Sequence, residues 1–540
     1  MKKIISTSFL ILCHIFCYSQ KDTVAEQYGQ TITAGDLSKH LHIIASDSMA
    51  GRETGDKGQK MAAKYLAEQF RTDGLTPIVK TDSGMSYFQK FKLMKKEWGA
   101  VTLNFKRRKK EWLKDYYAYG DVSTTEEERM RVVFVGYGID SEKYSDYYDE
   151  FAGQKNAQPL DVKGKAVIIF MGEPVINKIS LVTGDTIASD WANDWRRKAS
   201  TARAKGAKQV FIIVGKTQED FEKRLKQLKP HLGAPTLGFT HKQRAGSAFF
   251  ISISMAAEML NIKPEHFPKI LELRAKNLTT FKTKFPYPAT PQGIIIKVNV
   301  PVKQTPVYTE NVLGYIEGSD KKEELIILTA HYDHIGKEGD KIYYGADDDG
   351  SGTSALLEIA EAFGKAKKEG HGPRRSILIM PVTAEEKGLM GSEYYTDIPV
   401  FPLKNTVADL NIDMIGRLDN DHLTNPDYVY LIGSDKLSTQ LHNISEQANK
   451  TYTNIELDYK FNKPDDLNRF YYRSDHYNFA KNNIPVIFYF NGVHADYHQP
   501  TDTVDKILFD KMAKITRLVF YTAWELANRE DRIAVDVNVK

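Results

Sequence analysis

The stretch from Leu325 to Gly352 places charged residues directly after an apolar run. It reads LIILTAHYDHIGKEGDKIYYGADDDGSG: a strand-like segment, two histidines, and then three consecutive aspartates beside glycines. Adjacent carboxylates repel one another and are costly to bury unless a cation offsets their charge. We therefore interpret this stretch as part of a site for a divalent metal ion.

Other predicted strands also end beside side chains that bind metals. In open α/β sheets, ligands bind at the carboxyl ends of the strands. Each side chain alone has an ordinary explanation, since a lone histidine is usually a hydrogen-bonded structural residue and adjacent glutamates usually lie on the surface. Because these side chains follow four separate strands, a shared site is favoured over the ordinary explanations. The side chains are His331, Asp333 and His334 after the first strand, Glu385 and Glu386 after the second, Asp413 at the end of the third, and His494 and His498 after the last.

The spacing of these residues suggests different roles. Residues two apart in an extended segment face the same way, so the carboxylate of Asp333 is expected to hold the ring of His331 from behind. Adjacent Glu385 and Glu386 cannot easily bind one ion through equivalent positions. We expect one of them to be a ligand and the other a general base, which hydrolysis at a metal site requires.

The N-terminus predicts export. Lys2 and Lys3 precede the apolar run 4–16, and small residues stand before a cleavage point ahead of Gln20, so residues 1–19 are interpreted as a secretory signal peptide leading to the periplasm or outside. Both cysteines, at positions 13 and 17, lie inside it. The metal must therefore be held by histidine and carboxylate, a donor set that suits one or two zinc-like ions.

Composition excludes several classes of protein. The 540 residues are 41% hydrophobic and 27% charged, as in ordinary globular proteins of two or three domains. A formal charge of +4 with scattered basic residues, of which Lys106 to Lys110 is the densest run, gives no reason to expect nucleic acid. No later segment approaches the ~20 apolar residues of a membrane span. The oligomeric state is left open.

Periodicity predicts the elements that position these residues. From Glu324 onward, strand-like and helix-like segments alternate, which predicts an α/β domain with a mixed, largely parallel central sheet flanked by helices. Near the N-terminus, helices are predicted at Asp36–Ile44 and Gly58–Phe70. The Gly-rich segment between them, ASDSMAGRETGDKG, is interpreted as a plain connection or as a lip of the site.

Composition shifts predict the domain boundaries. Short β-like runs divided by glycine begin at Val132, and FPYPATPQG at 285–293 is typical of a linker. The predicted parts are the signal peptide (1–19), an N-terminal part of the main domain (20–115), an inserted β-rich domain (116–290) and the main domain (291–540).

Six segments resemble peptidase family M28, whose members include zinc aminopeptidases. They are AHYDH, GADDDGSG, AEE followed by GLMGS, NIDMIG, SDH and YHQPTDT, in this order, between about Asn311 and the C-terminus. ASDSMAGRETGDKG resembles the N-terminal segment of the same class. The inserted unit is similar to a protease-associated (PA) domain through GYG, VKGK and ARAKGA. The resemblance implies a zinc-dependent exopeptidase fold and an aminopeptidase that acts on peptides with two zinc ions.

The resemblance also implies a role for individual residues. It makes Asp348 a carboxylate that bridges the two ions and is followed by a cis peptide, with Asp349 beside it and Asp333 supporting a ligand. Tyr497 is implied as the group that stabilises the oxyanion, with Tyr471 or Tyr472 as alternatives. The implied metal ligands are His331, Asp348, Glu386, Asp413 and His498, and the implied general base is Glu385.

Several alternatives remain. A glutaminyl cyclase or a carboxypeptidase can be built on the same fold, and so can a receptor-like relative without catalysis. The complete set of implied ligands favours an enzyme over the receptor. A serine hydrolase is suggested by Ser474, Asp475 and His476, but these are contiguous, whereas a triad is assembled from separate segments, and the chain has no G-x-S-x-G motif.

Overall fold

A computed structural model of the chain describes residues 21–148, 159–229, 232–240, 246–268, 270–272 and 294–537. The predicted signal peptide and the predicted linker at 285–293 lie outside the described residues. The chain divides into two compact units, one of residues 1–92 and 307–540 and the other of residues 93–306. The second unit extends beyond the predicted insert, 116–290, at both ends.

The helices and strands are numbered here in chain order. The helices are α1 (Thr23–Gly29), α2 (Ala34–Ile44), α3 (Lys57–Thr72), α4 (Trp195–Ala204), α5 (Gln218–Leu228), α6 (Ile253–Leu260), α7 (Gly352–Lys368), α8 (Met390–Asp397), α9 (Thr439–Ala448), α10 (His476–Ala480) and α11 (Phe509–Asn528). The strands are β1 (Val79–Thr81), β2 (Gly84–Ser86), β3 (Phe88–Trp98), β4 (Thr102–Phe105), β5 (Arg108–Lys110), β6 (Tyr116–Tyr119), β7 (Glu128–Phe134), β8 (Ala166–Phe170), β9 (Val175–Ile176), β10 (Ile179–Ser180), β11 (Gln209–Ile213), β12 (Thr236–Gly238), β13 (Ala248–Ile251), β14 (Ile295–Asn299), β15 (Val302–Val312), β16 (Gly314–Ile316), β17 (Lys321–His331), β18 (Gly336–Glu338), β19 (Lys341–Tyr343), β20 (Arg375–Val382), β21 (Thr406–Ile412), β22 (Tyr428–Ile432), β23 (Glu456–Asp458) and β24 (Val486–Phe490).

The first unit is built on a seven-stranded mixed sheet in the order β16-β20-β17-β21-β24-β22-β23. Its four central strands, β20, β17, β21 and β24, are parallel neighbours. Every residue of β20 and β21 is buried, as expected for parallel strands covered on both faces. β16 and β22 join this group in antiparallel orientation. The predicted mixed, largely parallel α/β fold is therefore confirmed.

Helices cover the sheet because their apolar residues recur on one face. In α3, Ala62, Leu66 and Phe70 are buried at a spacing of four residues. α11 begins at Phe509 and ends at Asn528, and its buried residues pack in the same hydrophobic core as those of α2 and α7. α7 starts immediately after the aspartate-rich segment. Its packing therefore fixes the position of that segment.

The second unit contains an eight-stranded sheet in the order β5-β4-β14-β7-β8-β11-β13-β6. β7, β8, β11 and β13 are parallel neighbours, and the flanking strands are antiparallel. Separate hydrophobic clusters form around Phe249 and around Val210, so this unit has a core of its own. Its likeness to a PA domain stays a prediction.

The unit boundary differs from the predicted one because two long strands were not anticipated. β3 and β15 each contain a boundary, after Lys92 and after Pro306. Neither strand follows a simple alternation of apolar and polar residues, so the sequence pattern gives no clear signal for them. Among the described residues, no helix is both long enough and apolar enough to cross a membrane.

Candidate metal centre

The ends of four strands bring the predicted ligands together. His331 is the last residue of β17, Glu385 and Glu386 follow β20, Asp413 follows β21, and His498 lies beyond β24. Because β20, β17, β21 and β24 are parallel neighbours, their carboxyl ends lie at the same edge of the sheet. This edge carries two clusters of nitrogen and oxygen donors.

The first cluster contains His331, Asp348 and Asp413. Nε2 of His331 lies 3.2 Å from Oδ1 of Asp348 and 3.6 Å from Oδ1 of Asp413. Nδ1 of His331 lies 3.1 Å from the backbone carbonyl oxygen of Asp333. The carbonyl is the natural acceptor for an Nδ1 proton, and this leaves Nε2 free to bind a cation.

The second cluster shares Asp348 and adds Glu386, His498 and His334. Nε2 of His498 lies 3.1 Å from Oδ2 of Asp348 and 3.3 Å from Oε2 of Glu386. Nδ1 of His334 lies 2.8 Å from Oε1 of Glu386 and 3.8 Å from Oδ2 of Asp348. Asp348 therefore directs one oxygen into each cluster. The peptide bond between Asp348 and Asp349 is cis, as the family resemblance implies.

Buried polar atoms of the second cluster fit a cation. Oδ2 of Asp348, Oε1 of Glu386 and both ring nitrogens of His334 are buried and make no hydrogen bond. Polar atoms in this state normally have a partner, and a cation among them is such a partner. Imidazole and carboxylate without thiolate suit zinc. The residues present therefore fit a metal centre of the kind the sequence predicts.

Asp333 supports the centre through both its carboxylate and its backbone carbonyl. Its carboxylate Oδ1 lies 3.8 Å from Nδ1 of His331, at the distance of an ion pair, and the backbone carbonyl of Asp333 is the closer acceptor at 3.1 Å. The carboxylate also accepts hydrogen bonds from the Thr54 hydroxyl (2.8 Å) and the Glu385 backbone N–H (3.2 Å). Asp333 thereby fixes the backbone of the predicted general base.

Asp349 holds the aspartate-rich segment in place. Its carboxylate accepts hydrogen bonds from the backbone N–H groups of His331, Gly352 and Met414, at 3.2, 2.8 and 3.2 Å. It therefore ties β17, the start of α7 and the residue after Asp413 together. Gly345, before this segment, has a φ of +53°, and a Cβ there would meet the carbonyl oxygen of Asp348 at 2.2 Å. The motif therefore needs glycine at this position.

His494 lies behind the centre and not within either cluster. Its Nε2 is 3.2 Å from Oδ2 of Asp347, whose other oxygen accepts a hydrogen bond from the Gly416 backbone N–H (2.6 Å). Asp502 accepts hydrogen bonds from the backbone N–H groups of Asp347 and Asp348, at 3.0 and 3.2 Å. These side chains fix the backbone that presents the bridging carboxylate.

A buried arginine also holds the aspartate-rich loop in position. Arg52 is completely buried and donates hydrogen bonds to four backbone carbonyls, those of Ile44, Tyr332, Tyr344 and Gly345. Burial lowers the pKa of its guanidinium to about 10, and the aspartates of the centre oppose this shift. The ASDSMAGRETGDKG segment is therefore a structural brace of the site, through Arg52 and Thr54.

Glu385 lines a cavity beside the clusters. Its lining includes His331, Asp348, Asp413 and His498, together with an apolar wall of Met414, Phe470, Phe488, Phe490 and Val493. Burial raises the pKa of the Glu385 carboxyl well above its ordinary value, and the neighbouring Glu386 adds to the rise. A carboxylate with a raised pKa is a stronger base, as proton transfer from water requires.

Only one of the three candidate tyrosines lines this cavity. Tyr497 does so, with its ring stacked on that of His498 at a centroid distance of 3.8 Å. Burial raises its pKa, and the carboxylates of Asp348 and Glu386 add to the rise, so the hydroxyl keeps its proton. Tyr471 and Tyr472 line a different pocket. Their positions leave Tyr497 as the candidate donor.

Ser474, Asp475 and His476 do not form a triad. The Ser474 hydroxyl donates a 2.7 Å hydrogen bond to Asp413 and accepts one of 2.9 Å from Asn411. Asp475 accepts a hydrogen bond from the Ser392 hydroxyl. Burial lowers the pKa of His476 to about 3. Ser474 thus orients a predicted metal ligand, which agrees with the argument against a serine hydrolase.

Sequence reasoning missed the contributions of Arg52, Thr54 and Asp502 and underrated His334. The first three act through contacts with distant segments, and no local pattern reports such contacts. The sequence did contain a signal for His334 as a metal ligand, because this residue stands three positions after His331, just beyond the end of the same strand. Its donor atom lies with those of Asp348 and Glu386 within one group that is able to hold an ion.

Comparison with known proteins agrees with this fold. The fold and the two donor clusters define an α/β protein with a metal centre of carboxylate and imidazole groups at the carboxyl edge of its sheet. The solved aminopeptidase from Aneurinibacillus sp. strain AM-1 has the same fold, with a TM-score of 0.54 and 20% identity over 95% of this chain and 98% of that one. Residues 311–523 match the model of peptidase family M28, and this part of the chain belongs to that family. The predicted family is confirmed.

Curated relatives match shorter stretches. A probable leucine aminopeptidase of Arthroderma otae is 31% identical over 214 residues, which are 38% of this chain and 55% of the relative. A probable glutamate carboxypeptidase of Arabidopsis thaliana is 34% identical over 128 residues, 24% of this chain and 18% of the relative. The chain thus spans about half or less of these relatives.

Proposed function

We propose that this protein is a metallo-aminopeptidase that removes the N-terminal residue of peptides with the help of two zinc ions. The observation that carries the proposal is the position of Asp348, which directs one carboxylate oxygen into each of two donor clusters beside Glu385. His331 and Asp413 would complete one ion site, and Glu386 and His498 the other. Membership of family M28 supports a peptidase.

The chain's own residues divide the work of hydrolysis. Zinc, when bound, supplies Lewis-acid polarisation of the scissile carbonyl and lowers the pKa of water. Glu385 accepts the proton of the attacking water and passes it to the leaving amine, which its raised pKa favours. The Tyr497 hydroxyl donates a hydrogen bond to the oxygen on which negative charge develops. Asp333 keeps Glu385 in place through the 3.2 Å bond from the Glu385 backbone N–H.

The cavity suits the first residue of a peptide. A protonated α-amine would be attracted to the carboxylates of Glu385 and Asp413, which line the cavity with the metal-type donors. The apolar side chains that also line the cavity, among them Phe470 and Phe488, favour a large apolar side chain at this position. A relative described as a probable leucine aminopeptidase supports this preference.

Arg473 favours a second candidate, a carboxypeptidase. This residue also lines the cavity, and its guanidinium is suited to bind a substrate carboxylate. A relative described as a probable glutamate carboxypeptidase shares sequence with this chain. In the aminopeptidase, Arg473 would face no substrate carboxylate except that of a very short peptide.

A substrate panel separates these candidates. Leucyl-anilide, alanyl-anilide, glutamyl-anilide, the same compounds with an acetylated amine, and a peptide with an amidated C-terminus are incubated with purified protein. The aminopeptidase cleaves leucyl-anilide fastest, leaves acetylated compounds intact and accepts the amidated peptide. Chelation abolishes cleavage and zinc restores it. Cleavage that requires a free carboxyl end would instead establish the carboxypeptidase.

The Arg473→Ala variant gives an independent test of direction. The aminopeptidase should keep its kcat/KM for leucyl-anilide within about threefold, because this substrate has no carboxylate. A carboxypeptidase should lose a charge-assisted hydrogen bond worth roughly 1.5–3 kcal/mol, which is about 10- to 100-fold in kcat/KM. Arg469, whose guanidinium lies over the ring of Tyr472, provides the control variant Arg469→Ala.

Export through a cleaved signal peptide is part of the proposal. It rests on Lys2 and Lys3 before the apolar run 4–16. The mature protein should begin at Gln20 and occur in the periplasm or in the medium. Edman sequencing of protein expressed from the full gene measures this, and an intact Met1 would contradict it.

A further inference from the structure

We infer that the first unit carries another divalent-cation site, which shares no residue with the two donor clusters and is formed by His422, Glu456 and Asp458. One donor atom from each of these residues lies in a group that is able to hold an ion. Nε2 of His422 is 3.4 Å from Oδ2 of Asp458 and 4.0 Å from Oε1 of Glu456. One imidazole and two carboxylates suit a zinc-like ion.

The histidine is oriented as a metal ligand. Its side chain is only 9% exposed, and its ring is stacked on that of Tyr428 at a centroid distance of 3.6 Å and an interplanar angle of 9°. Nδ1 lies 3.0 Å from Oδ1 of Asp419. Nε2, which makes no hydrogen bond within the described part of the chain, is thereby aimed at Asp458 and Glu456.

The hydrogen bonds of Asp419 fix the position of its carboxylate against the His422 ring. The Tyr430 hydroxyl donates to Asp419 at 2.6 Å, and the backbone N–H groups of Asp421 and His422 donate at 3.2 and 3.1 Å. Asp419 therefore holds the Nδ1 side of the His422 ring, and Nε2 faces the carboxylates of Asp458 and Glu456. In metal-binding histidines, a carboxylate commonly contacts the ring nitrogen that does not bind the metal.

The two acidic side chains are fixed so that one oxygen of each faces the histidine. Oδ1 of Asp458 accepts a 2.7 Å hydrogen bond from the Lys460 backbone N–H, and Oδ2 is the oxygen near His422. Oε2 of Glu456 accepts a 2.8 Å hydrogen bond from the Asn425 amide, and Oε1 faces His422. Glu456 and Asp458 are two apart in the edge strand β23, so their side chains share a face.

Acidic side chains predominate around the site. Asp419, Asp421, Glu456 and Asp458 surround His422, whereas the ammonium of Lys460 is paired with Asp421. A bound ion would offset the remaining negative charge and connect edge strand β23 to the turn that contains His422. This turn also includes Asp419 and Asp421, which line a pocket with Tyr497. The site would therefore stabilise one rim of that pocket.

Metal counting tests the inference. Chelator-stripped protein is titrated with Zn²⁺ alone, and the bound ions are counted by calorimetry and by elemental analysis. His422→Gln should bind one ion fewer per chain than the unmodified protein. Glu456→Gln combined with Asp458→Asn should show the same loss, and these positions are 52% and 23% exposed, so the fold tolerates the change. His442→Gln is the matched control, because the Nδ1 of His442 is bonded to the Ser434 hydroxyl, and it should lose no ion.

Two further results decide between metal binding and a simple ion pair. Cobalt(II) substitution should give one set of visible absorption bands that disappears in His422→Gln and persists in Glu386→Gln, which instead removes a donor of the proposed active centre. Equal ion counts in the unmodified protein, His422→Gln and the Glu456/Asp458 double variant would overturn the site and show that His422 is an imidazolium paired with Asp458. That result would leave the proposed peptidase function untouched.

Discussion

At the scale of single residues, the two adjacent glutamates have different surroundings. Glu386 contributes oxygens to the cluster with His334 and His498, at 2.8 and 3.3 Å. Glu385 lines the cavity, and its backbone N–H is fixed by Asp333. The sequence alone divided the pair into a ligand and a base without choosing between them, and the geometry matches the choice that the family resemblance implies.

Replacement of Glu385 by Gln should separate catalysis from metal binding. The amide cannot accept a proton from water, so kcat should fall by about 10²- to 10⁴-fold while KM changes little. Zinc content should stay that of the unmodified protein. Glu386→Gln is the matched control, since it should lower zinc content as well as activity. Steady-state kinetics and elemental analysis of both variants measure this, and near-normal turnover in Glu385→Gln would reject the assignment.

His334 should contribute to zinc affinity. Both of its ring nitrogens are buried without a hydrogen bond, and Nδ1 lies 2.8 Å from Glu386. We expect His334→Asn to weaken zinc binding at the second cluster about 10- to 100-fold, as is usual for groups that orient or assist ligands. Competition with a chromogenic chelator measures the affinity. His371→Asn, which changes a histidine next to Tyr28, should leave it unchanged; equal affinities in the two variants would assign His334 to packing alone.

At the scale of elements, the metal-type residues depend on loops that hold the strand ends. Arg52 joins four backbone carbonyls from three segments, and Asp349 joins β17, α7 and the residue after Asp413. The parallel strands supply the common edge, but these two side chains fix the position of the aspartate-rich loop within it. Replacement of either Arg52 or Asp349 should therefore disturb the position of the whole loop.

Replacement of Arg52 by Met should destabilise the first unit strongly. The change removes the Arg52 donors from four backbone carbonyls, of which that of Gly345 keeps the Gly350 N–H at 3.1 Å. Each buried carbonyl left without a donor costs about 1–3 kcal/mol. We expect a loss of at least about 3 kcal/mol in unfolding free energy, together with weaker zinc binding. Arg71→Met is the control, because Arg71 lies on an exposed helix face beside Glu68, and it should have no measurable effect. Denaturant unfolding followed by tryptophan fluorescence measures both variants; equal midpoints would show that Arg52 is not a brace.

The elements also show what the sequence can and cannot predict. β17, β20, β21 and α11 were predictable because continuous apolar runs and helical spacing are local signals. Three of the ligands followed, since His331, Glu386 and Asp413 stand at or just after the ends of these strands, whereas Asp348 precedes α7. The role of Arg52 was not predictable, because its partners Tyr332 and Gly345 are almost 300 positions away in the chain, with 280 and 293 residues of separation. β3 and β15 were missed for a similar reason, since their pairing and not their periodicity defines them.

At the scale of the whole molecule, metal binding and folding of the first unit should be coupled. Asp348, Asp349 and Asp413 are buried within the same edge of the sheet, and Asp347 lies directly beside them. Without a cation their charges repel one another at low dielectric. The second unit has its own hydrophobic clusters, so its folding should not depend on zinc.

Zinc removal should therefore lower the thermal stability of one unit only. A ligand that binds the folded state at a free concentration 1,000 times its Kd adds about 4 kcal/mol per site, so chelation should shift one calorimetric transition down by several degrees and leave another in place. Glu386→Gln should have the lower transition already and respond less to chelator, because it has lost a donor of the second cluster. Glu385→Gln, which keeps the donors, should respond like the unmodified protein. Calorimetric traces that are identical with and without chelator would show that the buried carboxylates are stable without metal, which would contradict a metal centre at this edge of the sheet.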